Sequence, residues 1–186
     1  MGLDMYLQEK IYIGNGYKDK KEQVKVIVPK NQEKTWNKVK PIDNSRIDSI
    51  TLNVITWRKA NMIHNWFVEN VQEGQDDCGE YYCDPEQLET LRDICKEILD
   101  NSELVDGTIQ NGTEHTKEGT IPIMEEGKYI KDPSTAERLL PTTSGFFFGS
   151  TDYNQWYLED IKTTYEELEE ALRTNPQGSF YYSSSW

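Results

Sequence analysis

Ser144-Gly145-Phe146-Phe147-Phe148-Gly149-Ser150-Thr151-Asp152 runs directly into a long helical pattern, Tyr153 to Arg173. Three consecutive aromatics bounded by glycines predict a short buried strand, and Gly149-Ser150-Thr151-Asp152 predicts a turn whose last residues cap the helix. A strand that feeds a helix through a glycine turn leaves several backbone N–H groups without intrahelical partners, beside hydroxyls that can join them in holding an anion. One wall of a ligand site is expected here. Ordinary capping is the competing account of the same residues, and the turn lacks the Gly-Lys-Ser/Thr signature of a phosphate loop.

Downstream, Leu158, Ile161, Tyr165, Leu168 and Leu172 recur at spacings of three and four, an apolar stripe on an otherwise acidic helix. Asn175-Pro176-Gln177-Gly178 closes that helix, and Ser179 to Trp186 predicts a last strand with a tied-down end. At the other end of the chain, Leu3, Met5 and Leu7 alternate with polar residues and Ile11 and Ile13 resume the alternation, so residues 3–13 predict a strand. A second core strand follows from Ile50, Leu52, Val54 and the β-branched Thr51, Ile55 and Thr56. It leads into Trp57, Ala60, Ile63, Phe67 and Val71 at helical spacing, with Thr56 as the expected N-cap. The opposite side of that helix would carry Arg58, Asn61, Asn65 and Trp66, with His64 at the border. Gly74 to Tyr82 predicts an acidic loop ending in a tyrosine pair. Asp84-Pro85-Glu86-Gln87 predicts a capping box with proline at the first helical position, opening a helix that buries Leu88, Leu91, Cys95 and Ile98 and stops near Asn101. Asp132-Pro133 opens a short helix through Leu140 that Pro141 ends.

Residues 15–48, rich in polar residues around the single strand Val24 to Val28, and residues 101–131, with Asp106-Gly107 and Asn111-Gly112 turns, predict two inserted hairpin-like excursions. The whole is expected to be one domain over residues 1–186, α/β or α+β, with a single central sheet and about three main helices.

A net charge of -13 and a pI near 4.6 repel phosphate backbones and anionic membranes, so general nucleic-acid or membrane binding is not expected. A pocket for one small anion is still allowed, because it needs only a few donors. With no membrane-length apolar run and no signal-peptide pattern, the expectation is a soluble, cytosolic protein. Cys78, Cys83 and Cys95 show no paired metal spacing and Cys95 falls on an apolar helix face, so no metal or other cofactor is expected. An acidic domain with exposed aromatics is also a candidate for self-association, for which a two-fold homodimer is the commonest symmetric outcome.

The candidate chemistry gathers around two predicted helix starts. Arg58, Lys59, Asn61 and His64, in the first turns of one helix, would combine its dipole with two cations to suit a phosphate. Gly149, Ser150 and Thr151 supply the second anion-holding start. Tyr81, Tyr82, Tyr153, Trp156, Tyr157, Tyr181, Tyr182 and Trp186 form an unusually aromatic set for stacking a base, although core or dimer packing accounts for such rings too. Tyr81, Trp156, Tyr182 and Trp186 are the expected stackers, with Asn61 and His64 reading polar edges. His64 with Asp76, Asp77 or Glu80 is the alternative, an acid–base pair for a hydrolase or transferase acting on a nucleotide-like substrate. A third reading is an acidic inhibitor of a basic host protein.

The segments Met-Gly-Leu-Asp-Met-Tyr-Leu at the start, Trp57 to His64, Asp76 to Tyr82, Gly145 to Thr151 and the terminal Tyr-Tyr-Ser-Ser-Ser-Trp together resemble a group of small, functionally unassigned bacteriophage and prophage proteins. The resemblance covers both ends and the middle and carries no catalytic residue to transfer. It implies a phage accessory protein acting in the bacterial host cytoplasm. Small acidic phage proteins of this kind include inhibitors of host defence, and the expected function is that of a sponge sequestering a nucleotide-like immune signal.

Overall fold

The computed structural model of the chain describes residues 2–13, 47–117, 119–145 and 148–186, with the backbone alone at 113, 115, 116 and 120. The predicted strand Val24 to Val28 and nearly all of the 15–48 excursion lie outside these residues, as do Phe146 and Phe147. The described residues form an α+β fold. Its strands are β1 (Asp4–Tyr12), β2 (Ser49–Arg58), β3 (Glu80–Cys83), β4 (Leu104–Thr116), β5 (Gly119–Ile130) and β6 (Phe180–Ser185). Its helices are α1 (Asn61–Asn70), α2 (Pro85–Asp100), α3 (Ser134–Leu139) and α4 (Gln155–Thr174).

Four strands make an antiparallel sheet in the order β2-β1-β6-β3, and β4 and β5 form a separate two-stranded sheet. Period-two alternation decides which face of the main sheet is buried. Leu3, Met5 and Leu7 are fully buried beside Ile55, Trp57, Cys83, Phe180 and Tyr182, while Tyr6, Gln8 and Lys10 on the opposite face are half-buried. The inward row packs with Ile63 and Phe67 of α1, Leu88, Leu91, Cys95 and Ile98 of α2, and Ile161 and Leu168 of α4 in one core. Each such aliphatic side chain contributes about 1.5–3 kcal/mol on burial.

Helix α2 starts as its local sequence dictates. Asp84 accepts from the Glu86 N–H at 2.9 Å, and the Gln87 side chain accepts from the Asp84 N–H at 2.9 Å, with Pro85 in the first turn. The tyrosine pair Tyr81-Tyr82, expected in a loop, is instead β3, paired with Tyr182 and Tyr181 of β6.

Two expectations are corrected. The helix predicted from Trp57 begins four residues later, at Asn61, because Trp57 and Arg58 continue β2 opposite Met5 and Asp4. Ile55 and Trp57 are both buried at period two, and the Trp57 indole N–H donates to the Thr164 hydroxyl of α4 at 2.8 Å. The chain then turns at Lys59, whose φ of 63° is left-handed and whose N–H donates to the Leu3 carbonyl at 2.8 Å. Arg58 and Lys59 therefore precede the helix, and Thr56 lies within β2 and caps nothing.

Of the strand predicted around Phe146 to Phe148, Phe146 and Phe147 lie outside the described residues. The Phe148 N–H closes a turn onto the Gly145 carbonyl at 3.2 Å. Helix α4 starts beyond Asp152, with Asn154 as the cap: its side-chain oxygen accepts from the N–H groups of Trp156 at 2.9 Å and Tyr157 at 3.3 Å. Tyr153 and Asn154 are held extended against the end of β5, where the Ile130 N–H donates to the Tyr153 carbonyl at 2.9 Å and Asn154 bridges Tyr129.

The β4–β5 hairpin is docked on that same corner. The Lys128 N–H donates to the Gln155 side chain at 2.9 Å, and Ile109 is buried across Gly127, where a Cβ would stand 2.4 Å from its terminal methyl. Glycine at 127 is thus a packing requirement. Together the hairpin, the end of β2, α1 and the loop before α4 surround a concavity.

Candidate functional site

Asn61 builds this region. At the first position of α1 it is 2% exposed, and its amide donates to the carbonyls of Phe148 at 3.0 Å and Ser150 at 2.8 Å while accepting from the Thr143 N–H at 2.8 Å. One side chain thus clamps both ends of the 143–150 loop to the helix. Thr142 closes the loop further, its hydroxyl donating to the Thr151 carbonyl at 2.9 Å. Gly149, at φ 86°, lies against Lys59: a Cβ there would come within 3.1 Å of the Lys59 Cβ, so the loop and the β2–α1 turn meet in close contact.

The result is a cleft of about 710 Å³. Its lining combines Arg58, Lys59 and Asn61, Gly149 to Asp152, Trp156, Tyr157 and Asp160 of α4, and Gln110 to Gly112 of the hairpin. Seven of the eleven residues singled out from the sequence, Arg58, Lys59, Asn61, Gly149, Ser150, Thr151 and Trp156, therefore line a common hollow. Among the described residues, no acceptor takes the backbone N–H of Gly149, Ser150 or Thr151. The Arg58 side chain is 75% exposed, with Asp4 3.8 Å away as its ion-pair partner, and Trp156 is 51% exposed. The cations and a free ring face are available to a bound molecule.

Two of the seven have other work. Asn61 spends both amide donors inside the protein and so does not read a ligand edge through them. The Ser150 hydroxyl donates to the Asp152 carboxylate at 2.9 Å and accepts the Asp152 N–H at 3.1 Å, which leaves the anion-holding role to backbone amides.

His64, Tyr81, Tyr182 and Trp186 are not in the cleft. Tyr182 is fully buried and stacked on Phe67 with ring centroids 3.9 Å apart and planes 6° from parallel, so its ring is core and stacks no base. His64, expected at a helix border, is 1% exposed. Its Nε2 is 3.0 Å from Asp76 and its Nδ1 2.7 Å from the Tyr182 hydroxyl. Asp76 can only accept, so His64 carries its proton on Nε2 and the Tyr182 hydroxyl donates to Nδ1. Burial depresses the His64 pKa, against the opposing pull of Asp76. Trp186 donates to the same Asp76 oxygen at 3.3 Å, and the Tyr81 hydroxyl donates to Asp77 at 2.9 Å. These contacts fasten the 74–79 loop and β6 to α1. A histidine with both nitrogens taken inside the core is not placed to move a substrate proton.

Comparison with family models, curated proteins and solved structures found no match. The chemistry rests on the geometry alone.

Asp160 is the site residue that the sequence did not single out. It lines the cleft, and burial, with Glu159 beside it, raises its carboxyl to about 7. Its spacing of four from Trp156 was the available signal, since both fall on one helix face. Asn154 is a second addition. Its side-chain N–H group has no partner among the described residues, the residue is 2% exposed, and it lines an adjoining cavity of about 460 Å³ that shares Gln110, Thr151 and Asp152 with the cleft. Among the described residues no cluster of three or more His, Cys, Asp or Glu is arranged to hold a metal. Burial pushes the Cys83 thiol up to about 12 and that of Cys95 higher still, which keeps both protonated and inert. No helix among the described residues is long and apolar enough to cross a membrane.

Proposed function

We propose that the cleft binds a phosphorylated, nucleotide-like small molecule and holds it without turning it over. One observation carries the reading: two cations, three backbone amides with no acceptor among the described residues and an exposed indole, from three separate chain segments, share one hollow. Arg58 and Lys59 neutralise phosphate, the amides of Gly149, Ser150 and Thr151 supply uncharged donors, and Trp156 stacks the base. A cleft of this size suits a molecule of nucleotide dimensions. In the phage setting that the quoted segments imply, such binding would sequester a host nucleotide signal.

Nucleotide panels incubated with the protein and then released by heating test this. Intact ligand should be recovered, in an amount that falls for Arg58→Ala and Trp156→Ala. Recovery of cleaved product would move the protein to the hydrolases, and retention of no nucleotide at all would refute the reading.

A further inference from the structure

We infer that Asp160 selects the base in this cleft, its carboxylate taking the N1–H and N2–H edge of a guanine stacked on Trp156. This rests on the nucleotide reading above and narrows it to a ligand class. The geometry is that of a helix face. Residues four apart on α4 stand about 5–6 Å apart at their Cβ atoms, close to the in-plane distance from a stacked ring to its hydrogen-bonding edge. Trp156 and Asp160 both line the cleft at that spacing. Arg58 and Lys59 line the same cleft, so a ring over Trp156 with its edge at Asp160 would extend its phosphate toward those cations.

Asp160 has an unmet need that a ligand can fill. Its backbone carbonyl accepts the Thr164 hydroxyl at 2.7 Å, but no donor among the described residues bonds its carboxylate. The charged groups around it are Glu159 next to it on α4, Asp152 from the loop, and Arg58 and Lys59 from the turn after β2; the Trp57 indole, which also packs here, is spent on Thr164. Arg58 has Asp4 as its ion-pair partner and no ion pair joins Lys59 to Asp160 among the described residues, so burial and Glu159 set its titration and the carboxyl holds its proton up to about 7. Two adjacent N–H donors would satisfy the ionised form. Guanine alone among the common bases presents such a pair. Adenine and cytosine present one donor beside an acceptor, and uracil one donor between acceptors, so each leaves a carboxylate oxygen unpaired or repelled.

Calorimetric titration of GMP and AMP into the intact protein at pH 8 tests this. A bidentate pair is worth a factor of about 5 to 150 over the wrong base, so GMP should bind more tightly by a ratio in that range. Asp160→Asn, which offers one donor and one acceptor, should lower the GMP-to-AMP ratio to one or below. The wild-type ratio should also fall toward one between pH 8 and pH 5.5 as Asp160 gains its proton; taking the ratio cancels titration of the phosphate, common to both probes. Equal affinities in the wild type, an unchanged preference in Asp160→Asn, or a ratio that holds or rises on acidification would each overturn the assignment while leaving nucleotide binding intact. Failure of GMP, AMP and pyrophosphate all to bind would overturn the nucleotide reading and this inference with it.

Discussion

Replacing Asn61 with alanine removes the clamp that shapes the cleft, and the cost follows from the hydrogen bonds its side chain makes. There are three of them, at 2.8–3.0 Å, on a residue only 2% exposed. Each such bond contributes a net of about 1 kcal/mol, and more where its partner is left buried without water, so Asn61→Ala should destabilise the protein by about 3 kcal/mol. For a chain of this size that corresponds to a fall of about 6–12 °C in Tm. Urea unfolding followed by near-UV circular dichroism should show a lower midpoint with an unchanged slope, since the surface exposed on unfolding is nearly the same. Asn61→Asp keeps the oxygen for Thr143 but sets a carboxylate against two carbonyls, so it should lose at least as much. A loss below about 0.5 kcal/mol in Asn61→Ala, the level of an ordinary surface substitution, would refute the clamp.

Tyr182→Phe should cost about 1–3 kcal/mol by leaving the His64 Nδ1 acceptor unpaired in the core, yet leave nucleotide affinity unchanged; altered affinity with unaltered stability would reverse that assignment. Trp156→Ala should do the opposite, holding stability within about 0.5 kcal/mol and weakening binding by about 1–3 kcal/mol, read by calorimetry. His64 and the half-buried Asp160 set opposed pH slopes. The His64 pKa lies below its unfolded value of 6.5, so its neutral form supports the fold above that value and the support is lost as pH falls through the folded pKa. Asp160, at about 7 folded against 3.8 unfolded, favours the fold while protonated, and that advantage is lost as pH rises toward 7. Asp160→Asn should therefore raise the denaturation midpoint at pH 8 and do little at pH 4; equal midpoints at pH 8 would show that Asp160 is not buried as described.

Where local chemistry decides the structure, the sequence was legible. The Asp84-Pro85-Glu86-Gln87 start of α2, the alternation of β1, the stripe of α4 and the burial of Cys95 all follow from residues within a few positions of one another. Trp57 misled because it satisfies two periods at once. It lies two residues from Ile55 and three from Ala60, and only pairing with Met5, more than 50 positions away, assigns it to the strand. The same long-range pairing made Tyr182 a core ring and Tyr81 part of β3, since a tyrosine in a polar setting reads alike whether its face is free or stacked on Phe67. His64 was hidden for a related reason: the 74–79 loop and β6 cover a helix side that its own sequence leaves polar. Asp160 passed as one of many acids on an acidic helix. Its environment is set by β2 and the 142–152 loop, which no local pattern announces.

The cleft's claim to be a phosphate-bearing ligand site is tested most directly by titrating GMP into wild-type protein and into the Arg58→Ala, Lys59→Ala double variant at fixed ionic strength. Loss of two charge-assisted bonds worth about 1.5–3 kcal/mol each should weaken binding by a factor of about 100 or more, with the variant's fold retained because both side chains are exposed. Equal affinity in the two proteins, or no binding by the wild type, would contradict it.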